Sequence, residues 1–183
     1  MRRVLVIGSG GAGKTTLARR IAAATGLPLV HLDRRFWHAG WQPTPAEEWA
    51  RIVTELAAEE RWVMDGNYGG TLPARLARAD TVVFLDVSRV TCLVRVVRRA
   101  ARHRSRPRED MAPGCPEHVT WEFARWIWRY PKTSRPGVLS MLDEFRRGGG
   151  RALVLHTDAE VRTFVASLSP GGDEAMAAAS GLQ

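Results

Sequence analysis

The chain has 183 residues, of which 45% are hydrophobic and 25% charged, the balance and length of one ordinary folded domain. Nowhere does it hold the roughly twenty consecutive apolar residues of a membrane helix, and its opening, MRRVLVIGSGGAGK, has too short an apolar stretch for a secretory signal. Two cysteines, Cys92 and Cys115, exclude a disulfide framework and a four-thiolate zinc site, so a reducing, cytoplasmic compartment is expected, while the net charge of +8 favours anionic partners.

The apolar run Val4 to Gly8 is predicted as a buried parallel strand. Lys14 to Thr25 follows as a helix stopped by Gly26 and Pro28. Leu27 to Asp33 reads as a second strand with Asp33 at its end. A loop rich in Trp, Gly and Pro covers Phe36 to Pro45. The next helix is expected from Thr44 to about Glu60, with Thr44 as cap and Glu47 completing a capping box. Arg61 to Asn67 is a third strand, Leu72 to Arg78 a short helix, Thr81 to Val87 a fourth strand, and Ser88 to Arg102 a helix. His103 to Glu117, with three prolines and many charges, reads as a loop or flap. Helices are predicted over Trp121 to Tyr130, broken at Pro131, and over Arg135 to Arg147. Arg151 to Thr157 is the fifth strand. Thr157 and Glu160 make a capping box for a last helix to about Leu168. The tail, 169–183, has few large apolar residues and is expected to be disordered. Residues 1–168 thus form one domain whose alternating strands and helices predict an α/β architecture, a parallel sheet covered on both faces.

Between the first strand and the first helix, Gly8-Ser9-Gly10-Gly11-Ala12-Gly13-Lys14-Thr15 fits G-x-x-x-x-G-K-[ST] in full. Glycines let successive N–H groups turn inward onto phosphate oxygens, and the helix start adds its positive end. Ser9, Gly10, Gly11, Ala12, Gly13, Lys14, Thr15 and Thr16 are therefore the expected nucleotide-binding residues. Lys14 is expected to reach the β- and γ-phosphates of ATP, and the Thr15 hydroxyl to ligate Mg²⁺. A dinucleotide fingerprint fails for want of its third glycine, and no N-K-x-D segment points to guanine. Asp65, closing the third strand, reads either as a second Mg²⁺ acid or as the turn-forming residue of Asp-Gly.

With these residues in place, residues 2 to 168 resemble the small P-loop kinases related to adenylate kinase, most of all the group labelled DNA topology modulation proteins. The resemblance rests on the phosphate loop, HLDRRFWHAGW, WVMDGNYGGTLPARLARADTVVFLD, GCPE and the Trp-rich helix. It implies a P-loop NTPase fold with strand order 2-3-1-4-5, ATP and Mg²⁺ as cofactors, and phosphoryl transfer to a small-molecule acceptor. VMDGN resembles the L-L-D-G-F-P-R of adenylate kinases, which supports Asp65 near Mg²⁺. Their arginine has no match because Gly69 stands there, and Arg75 is the candidate replacement. Arg95 and Arg99 match arginines that flank the adenine and contact phosphates. The T-G-D-M-x-R acceptor element is absent, with His31-Leu32-Asp33 in its place.

Asp33 is accordingly the candidate base or orienting acid toward an acceptor hydroxyl, with a turn cap as the alternative. Trp37 and Trp41 either stack on a planar acceptor or pack as a local core with Trp49 and Trp62. Asn67 and Tyr68 are further acceptor candidates, whereas His31 reads as a strand residue with a satisfied hydrogen bond. The arginine-rich stretch predicts a lid over about residues 102–135, with Arg106 as its leading catalytic candidate and Arg129 and Arg135 able to return to the site. The acceptor, whether nucleotide, nucleoside, antibiotic or other metabolite, stays open. So does a rival reading, a nucleic-acid-associated regulator using the basic segment with Trp121, Trp126 and Trp128. Against that rival, Trp121, Phe123 and Trp128 have helical spacings suited to burial.

Overall fold

The run after the N-terminus becomes β1, Arg3–Gly8, the middle strand of a five-stranded parallel sheet. The computed structural model describes residues 1–102, 111–116 and 119–168. In chain order the elements after β1 are α1 (Lys14–Thr25), β2 (Leu29–His31), α2 (Leu32–Phe36), β3 (Trp37–His38), β4 (Gln42–Pro43), α3 (Ala46–Ala58) and β5 (Trp62–Asp65). There follow α4 (Leu72–Leu76), β6 (Thr81–Leu85), α5 (Arg89–Arg102), α6 (Trp121–Thr133), α7 (Arg135–Arg147), β7 (Arg151–Leu155) and α8 (Asp158–Ala166). The sheet order is β2-β5-β1-β6-β7, while β3 and β4 form a separate two-stranded hairpin. The five strands expected from the sequence therefore lie in the expected order, 2-3-1-4-5 counted without the hairpin.

Side chains alternate between the faces of a strand, so each strand feeds two cores. Val4, Val6, Val63, Val83 and Leu85 pack on one face against α1, α5 and α8 through Leu17, Ile21, Val96 and Phe164. Leu5, Ile7, Met64, Val82 and Phe84 pack on the other against α3, α4 and α7 through Val53, Leu72 and Leu142. Helix α6 serves both cores, with Ile127 in the first and Tyr130 in the second. This explains why the strands read as nearly unbroken apolar runs: both faces are covered.

The second strand stops earlier than expected. β2 is an edge strand paired only to β5, in register up to His31 opposite Asp65. Beyond that pair Gly66 turns the partner away, and the chain coils into α2 with Leu32 fully buried against Gly66. Asp33 thus lies in the first turn of α2 rather than at a strand end. Thr44 does not cap α3. Its hydroxyl donates to the Phe36 carbonyl at 2.7 Å, tying the hairpin's exit to its entry, and Pro45 starts the helix with its preset φ. Pro131 does not break α6, which runs two residues further. A proline in the last turn removes one backbone bond, and the Ser134 amide still closes on the Tyr130 carbonyl at 3.0 Å. At α8 the capping box holds: the Thr157 hydroxyl accepts from the Glu160 amide, and the Glu160 carboxylate takes the His156 amide.

Candidate functional site

The phosphate loop leaves the C-terminal end of the central strand, where parallel α/β sheets place their ligands. Its path needs glycine at two points for different reasons. At Gly11 the backbone has φ +78°, and a Cβ would lie 2.3 Å from the Cys92 carbonyl oxygen, so the loop rests directly on the backbone of α5. Gly13, at φ +101°, starts α1 with no side-chain cap, which leaves the first amides of the helix to the cleft. The Lys14 ammonium folds back onto the Ser9 carbonyl at 2.9 Å. Burial pulls its pKa below the usual lysine value, Arg99 pulls the same way, and Asp33 and Asp65 oppose both. Gly10, Gly11, Gly13, Lys14, Thr15 and Thr16 all line one cleft of about 1220 Å³, while Ser9 and Ala12 are buried beneath it. A single ligand pocket is usually roughly 300–1,000 Å³, so this cleft has room for two substrates.

Facing Lys14 are two acids from neighbouring elements. Asp65 ends β5 and is buried, and its Oδ1 accepts from His31 Nδ1 at 2.7 Å. Strand register makes that pair, because His31 and Asp65 are direct neighbours across β2 and β5. His31 thus has the satisfied bond that the sequence suggested, but with an acid of the cleft. Asp33 accepts from the Tyr68 hydroxyl at 2.6 Å. Burial, reinforced by Asp33, pushes the Tyr68 pKa far above the ordinary tyrosine value, so this hydroxyl remains a donor. The Thr15 hydroxyl and the Asp65 carboxylate line the same cleft and offer it an oxygen donor set. That set fits Mg²⁺, a hard cation that takes one or two protein ligands beside phosphate oxygens and keeps several waters. Among the described residues no group of three His, Cys, Asp or Glu offers a denser metal site.

The arginines divide. Arg95 and Arg99, from successive turns of α5, line the cleft beside the phosphate loop, as does Arg19 of α1. Arg95 is anchored from behind: Nη2 donates to both Asp158 oxygens at 2.8 Å, and Nη1 reaches the Ala12 carbonyl at 3.3 Å. Arg75 departs from expectation. It is 0% exposed, and its guanidinium donates to the carbonyls of Gly66 (3.0 Å), Asn67 (3.1 Å) and Tyr68 (2.7 Å). Burial lowers its pKa to about 10, still charged at neutral pH. It shapes the 66–71 loop from inside and presents no charge to the cleft. Arg135 is likewise occupied, forked onto Asp86 at 2.8–2.9 Å, and Arg129 lies exposed on α6. Arg106, with most of the expected lid's basic stretch, lies outside the described residues. Within the rest of the expected lid span, α6 is packed into the cores through Ile127 and Tyr130.

Aromatic side chains form much of the remaining wall. Trp37 and Trp41 meet edge to face with ring centres 5.4 Å apart and line the cleft with Asn67 and Tyr68. They pack with Met111, Ala112 and Cys115, and Phe36 meets both Trp37 and Trp49, while Trp62 sits in the core under α3 and the sheet. Phe123 and Trp126 of α6 stack with an interplanar angle of 12°, and Phe123 presses on the phosphate loop, where a Cβ at Gly10 would lie 2.5 Å from its ring. Burial was expected for Trp121 and Trp128, yet Trp121 is 74% exposed and Trp128 47%. The buried stripe of α6 runs instead through Phe123, Ile127 and Tyr130, and Arg89 covers the Trp128 ring at 3.9 Å. Sequence reasoning did not find Phe123, Trp126 and Met141 as cleft residues, because α6 and α7 reach the site only through tertiary packing.

No model of a known protein family matches the sequence. Among curated proteins, the ATPase subunit HslU of an ATP-dependent protease from Staphylococcus haemolyticus is 28% identical over 115 residues, 62% of this chain. That match spans 23% of HslU, so the chain corresponds to less than a quarter of that relative. Among solved structures, shikimate kinase from Acinetobacter baumannii in complex with shikimate superposes with a TM-score of 0.53 at 17% identity, covering 100% of this chain and 96% of that one. A sugar kinase from a Janibacter species gives a TM-score of 0.46 at 16% identity, over 97% of this chain and 93% of that one. The likeness to the first of these structures is one of fold: a five-stranded parallel sheet with helices on both faces and a phosphate loop after the central strand.

Proposed function

We propose that this chain is an ATP-dependent phosphotransferase that moves the γ-phosphoryl group of Mg-ATP to a hydroxyl of a small-molecule acceptor. The observation that carries this reading is one cleft with two chemically different ends. A complete phosphate loop with Lys14, Arg95 and Arg99 forms one end, and Asp33, held by Tyr68, stands across from it. The amides of Gly10 to Thr15 and the start of α1 bind the phosphates. Lys14 and Arg99 neutralise charge that spreads over the transferring group, which is the main task in phosphoryl transfer. Thr15 and Asp65 would hold Mg²⁺, which supplies charge neutralisation and alignment of the phosphates. Asp33 orients the acceptor hydroxyl and takes its proton. The resemblance to the DNA topology modulation group, itself similar to adenylate kinases, supports transfer from ATP, and the hydroxyl acceptor rests on Asp33 and Tyr68 alone.

A screen of hydroxyl and phosphate acceptors with ATP and Mg²⁺, following ADP release, tests it. With the acceptor found, Asp33→Asn is expected to lower turnover by ~10²–10⁴-fold with little change in acceptor affinity. Rapid transfer to AMP, equally fast in Asp33→Asn, would return the chain to nucleotide-monophosphate chemistry.

A further inference from the structure

We infer that the acceptor is an uncharged alcohol built on a flat aromatic or heteroaromatic body, the chemistry of a free nucleoside rather than of its monophosphate. This rests on the phosphotransferase reading and specifies its second substrate. Three observations carry it.

The first is charge. Among the described residues, the cations lining the cleft, Lys14, Arg19, Arg95 and Arg99, all stand on α1 and α5, at the phosphate-loop end. Arg75, the arginine expected to serve a phosphorylated acceptor, is fully buried with its donors on loop carbonyls. The acids lining the cleft are Asp33, Asp65 and Glu122, and Asp33, which stands on the acceptor wall facing Lys14 and is held by Tyr68, disfavours a second phosphate and accepts from a hydroxyl.

The second is surface chemistry. Trp37, Trp41 and Met111 give that wall a continuous apolar, polarisable surface, and Asn67 adds an amide able to pair with a ring edge. Flat rings stack on tryptophan faces, whereas a polyol gains little there and leaves its hydroxyls without partners. The edge-to-face setting of Trp37 and Trp41 makes a corner that receives one flat group.

The third is that the fold holds this corner at a conformational cost. Trp41 has φ +61°, the left-handed region that bulky residues avoid, next to Gly40 at φ +74°. Its indole Nε1 donates to the Pro116 carbonyl at 3.1 Å. The hairpin tip is pinned to the same segment, since the Gly40 amide donates to the Gly114 carbonyl at 3.0 Å and the Cys115 thiol to the His38 carbonyl at 3.1 Å. The ring is therefore fixed before any ligand arrives, and a preset stacking face loses little entropy on binding.

In the transfer, the acceptor oxygen bonds to the γ-phosphorus as the bond to the β–γ bridging oxygen breaks. ADP leaves with that electron pair, and the hydroxyl proton passes to the Asp33 carboxylate and then to water.

The test is calorimetry on the full chain saturated with Mg²⁺ and a non-hydrolysable ATP analogue, so that no probe reads out the nucleotide site. The probes are adenosine, guanosine, cytidine and thymidine, their 5′-monophosphates, pyridoxine as a non-nucleoside heteroaromatic alcohol, and myo-inositol. We expect a nucleoside or pyridoxine to bind at least ~10-fold tighter than every monophosphate and than inositol, and which of the two binds identifies the source of the ring. Loss of one stacking face in Trp41→Ala is expected to weaken that probe by ~5–150-fold, with Trp37→Phe losing less. Unchanged affinity of each variant for the ATP analogue certifies its fold. Asp33→Asn should narrow the gap to the monophosphate. A monophosphate that binds as tightly as its nucleoside, tighter binding of inositol, or binding of no aromatic alcohol overturns the inference. The two readings fail separately: tight nucleoside binding without ADP release from ATP sinks the phosphotransferase, whereas ADP release with inositol alone sinks the aromatic acceptor.

Discussion

Replacing Gly11 by alanine probes how closely the phosphate loop lies on α5, and Gly26→Ala supplies the control. Both glycines are left-handed, at φ +78° and +65°. A side chain in that region costs roughly 1–2 kcal/mol at either position. At Gly26 nothing lies within 4 Å of an added Cβ, so the conformational cost is the whole effect. At Gly11 the Cβ would stand 2.3 Å from the Cys92 carbonyl oxygen and 2.9 Å from Val96 Cγ2. A carbonyl within a helix cannot rotate away as a side chain can, so relief requires the loop or α5 to retreat by about 1 Å. Overpacking of this kind costs about 1–3 kcal/mol, which brings Gly11→Ala to about 2–5 kcal/mol in all. For a chain of this size each kcal/mol lowers Tm by about 2–4 °C. Gly26→Ala should therefore melt roughly 2–8 °C below the unaltered protein, and Gly11→Ala a further 2–12 °C lower. Urea denaturation at constant m checks the same difference at 25 °C, and only Gly11→Ala should also weaken ATP binding. Equal melting of the two variants would refute the close approach of loop and helix on which the site is built.

Lys14→Ala should cost about 2–5 kcal/mol of transition-state stabilisation, read as kcat/KM, and weaken ATP in calorimetry, and an unchanged value would refute the phosphate-loop assignment. Arg75→Met strands the carbonyls of Gly66, Asn67 and Tyr68. We expect about 2–5 kcal/mol of lost stability and a raised KM for the acceptor, with ATP affinity kept; loss of ATP affinity instead would return Arg75 to the phosphates. Asp80 ties the N-terminal strand to β6: burial raises its pKa, but the Thr81 hydroxyl and the amides of Arg3 and Arg2 outweigh that and leave it below the ordinary value. A carboxylate depressed in the folded state stabilises above its unfolded pKa of about 4 and loses that contribution as pH falls through the folded pKa. Denaturation midpoints measured from pH 6 down to pH 2 should therefore fall less steeply in Asp80→Asn than in the unaltered protein.

What the sequence carried well was local. The strands were legible because a doubly covered parallel strand must be apolar throughout, and the phosphate loop because its glycines and Lys14-Thr15 sit next to each other in the chain. The errors fell where long-range contacts overrule local preference. Asp33 left the strand because β5 ends opposite His31, a fact of register that no window on β2 contains. Thr44 has the signature of a cap, yet its hydroxyl found the Phe36 carbonyl eight residues back. For α6, helical spacing of apolar residues showed a stripe but not which of two overlapping stripes. Helical spacing suited Trp121 and Trp128 equally well, whereas Ile127 enters the core beneath α5 and Tyr130 the core beneath α7.

Arg75 shows why the acceptor end of the cleft was harder to read than the phosphate end. An arginine near a glycine-rich turn is equally suited to gripping a ligand's phosphate or the turn's own carbonyls, because both offer converging oxygens to the same five donors. Which one it grips depends on whether the loop curls over it; here it does, with the Tyr68 hydroxyl donating to Asp33 at 2.6 Å while the Tyr68 carbonyl accepts from Arg75 at 2.7 Å. Tyr68 thereby links the two residues: it donates to the acid at the cleft and accepts from the buried Arg75 guanidinium behind the loop. The end of the cleft proposed for the acceptor owes its acidic, aromatic character to these local contacts rather than to net composition, since the chain as a whole carries +8.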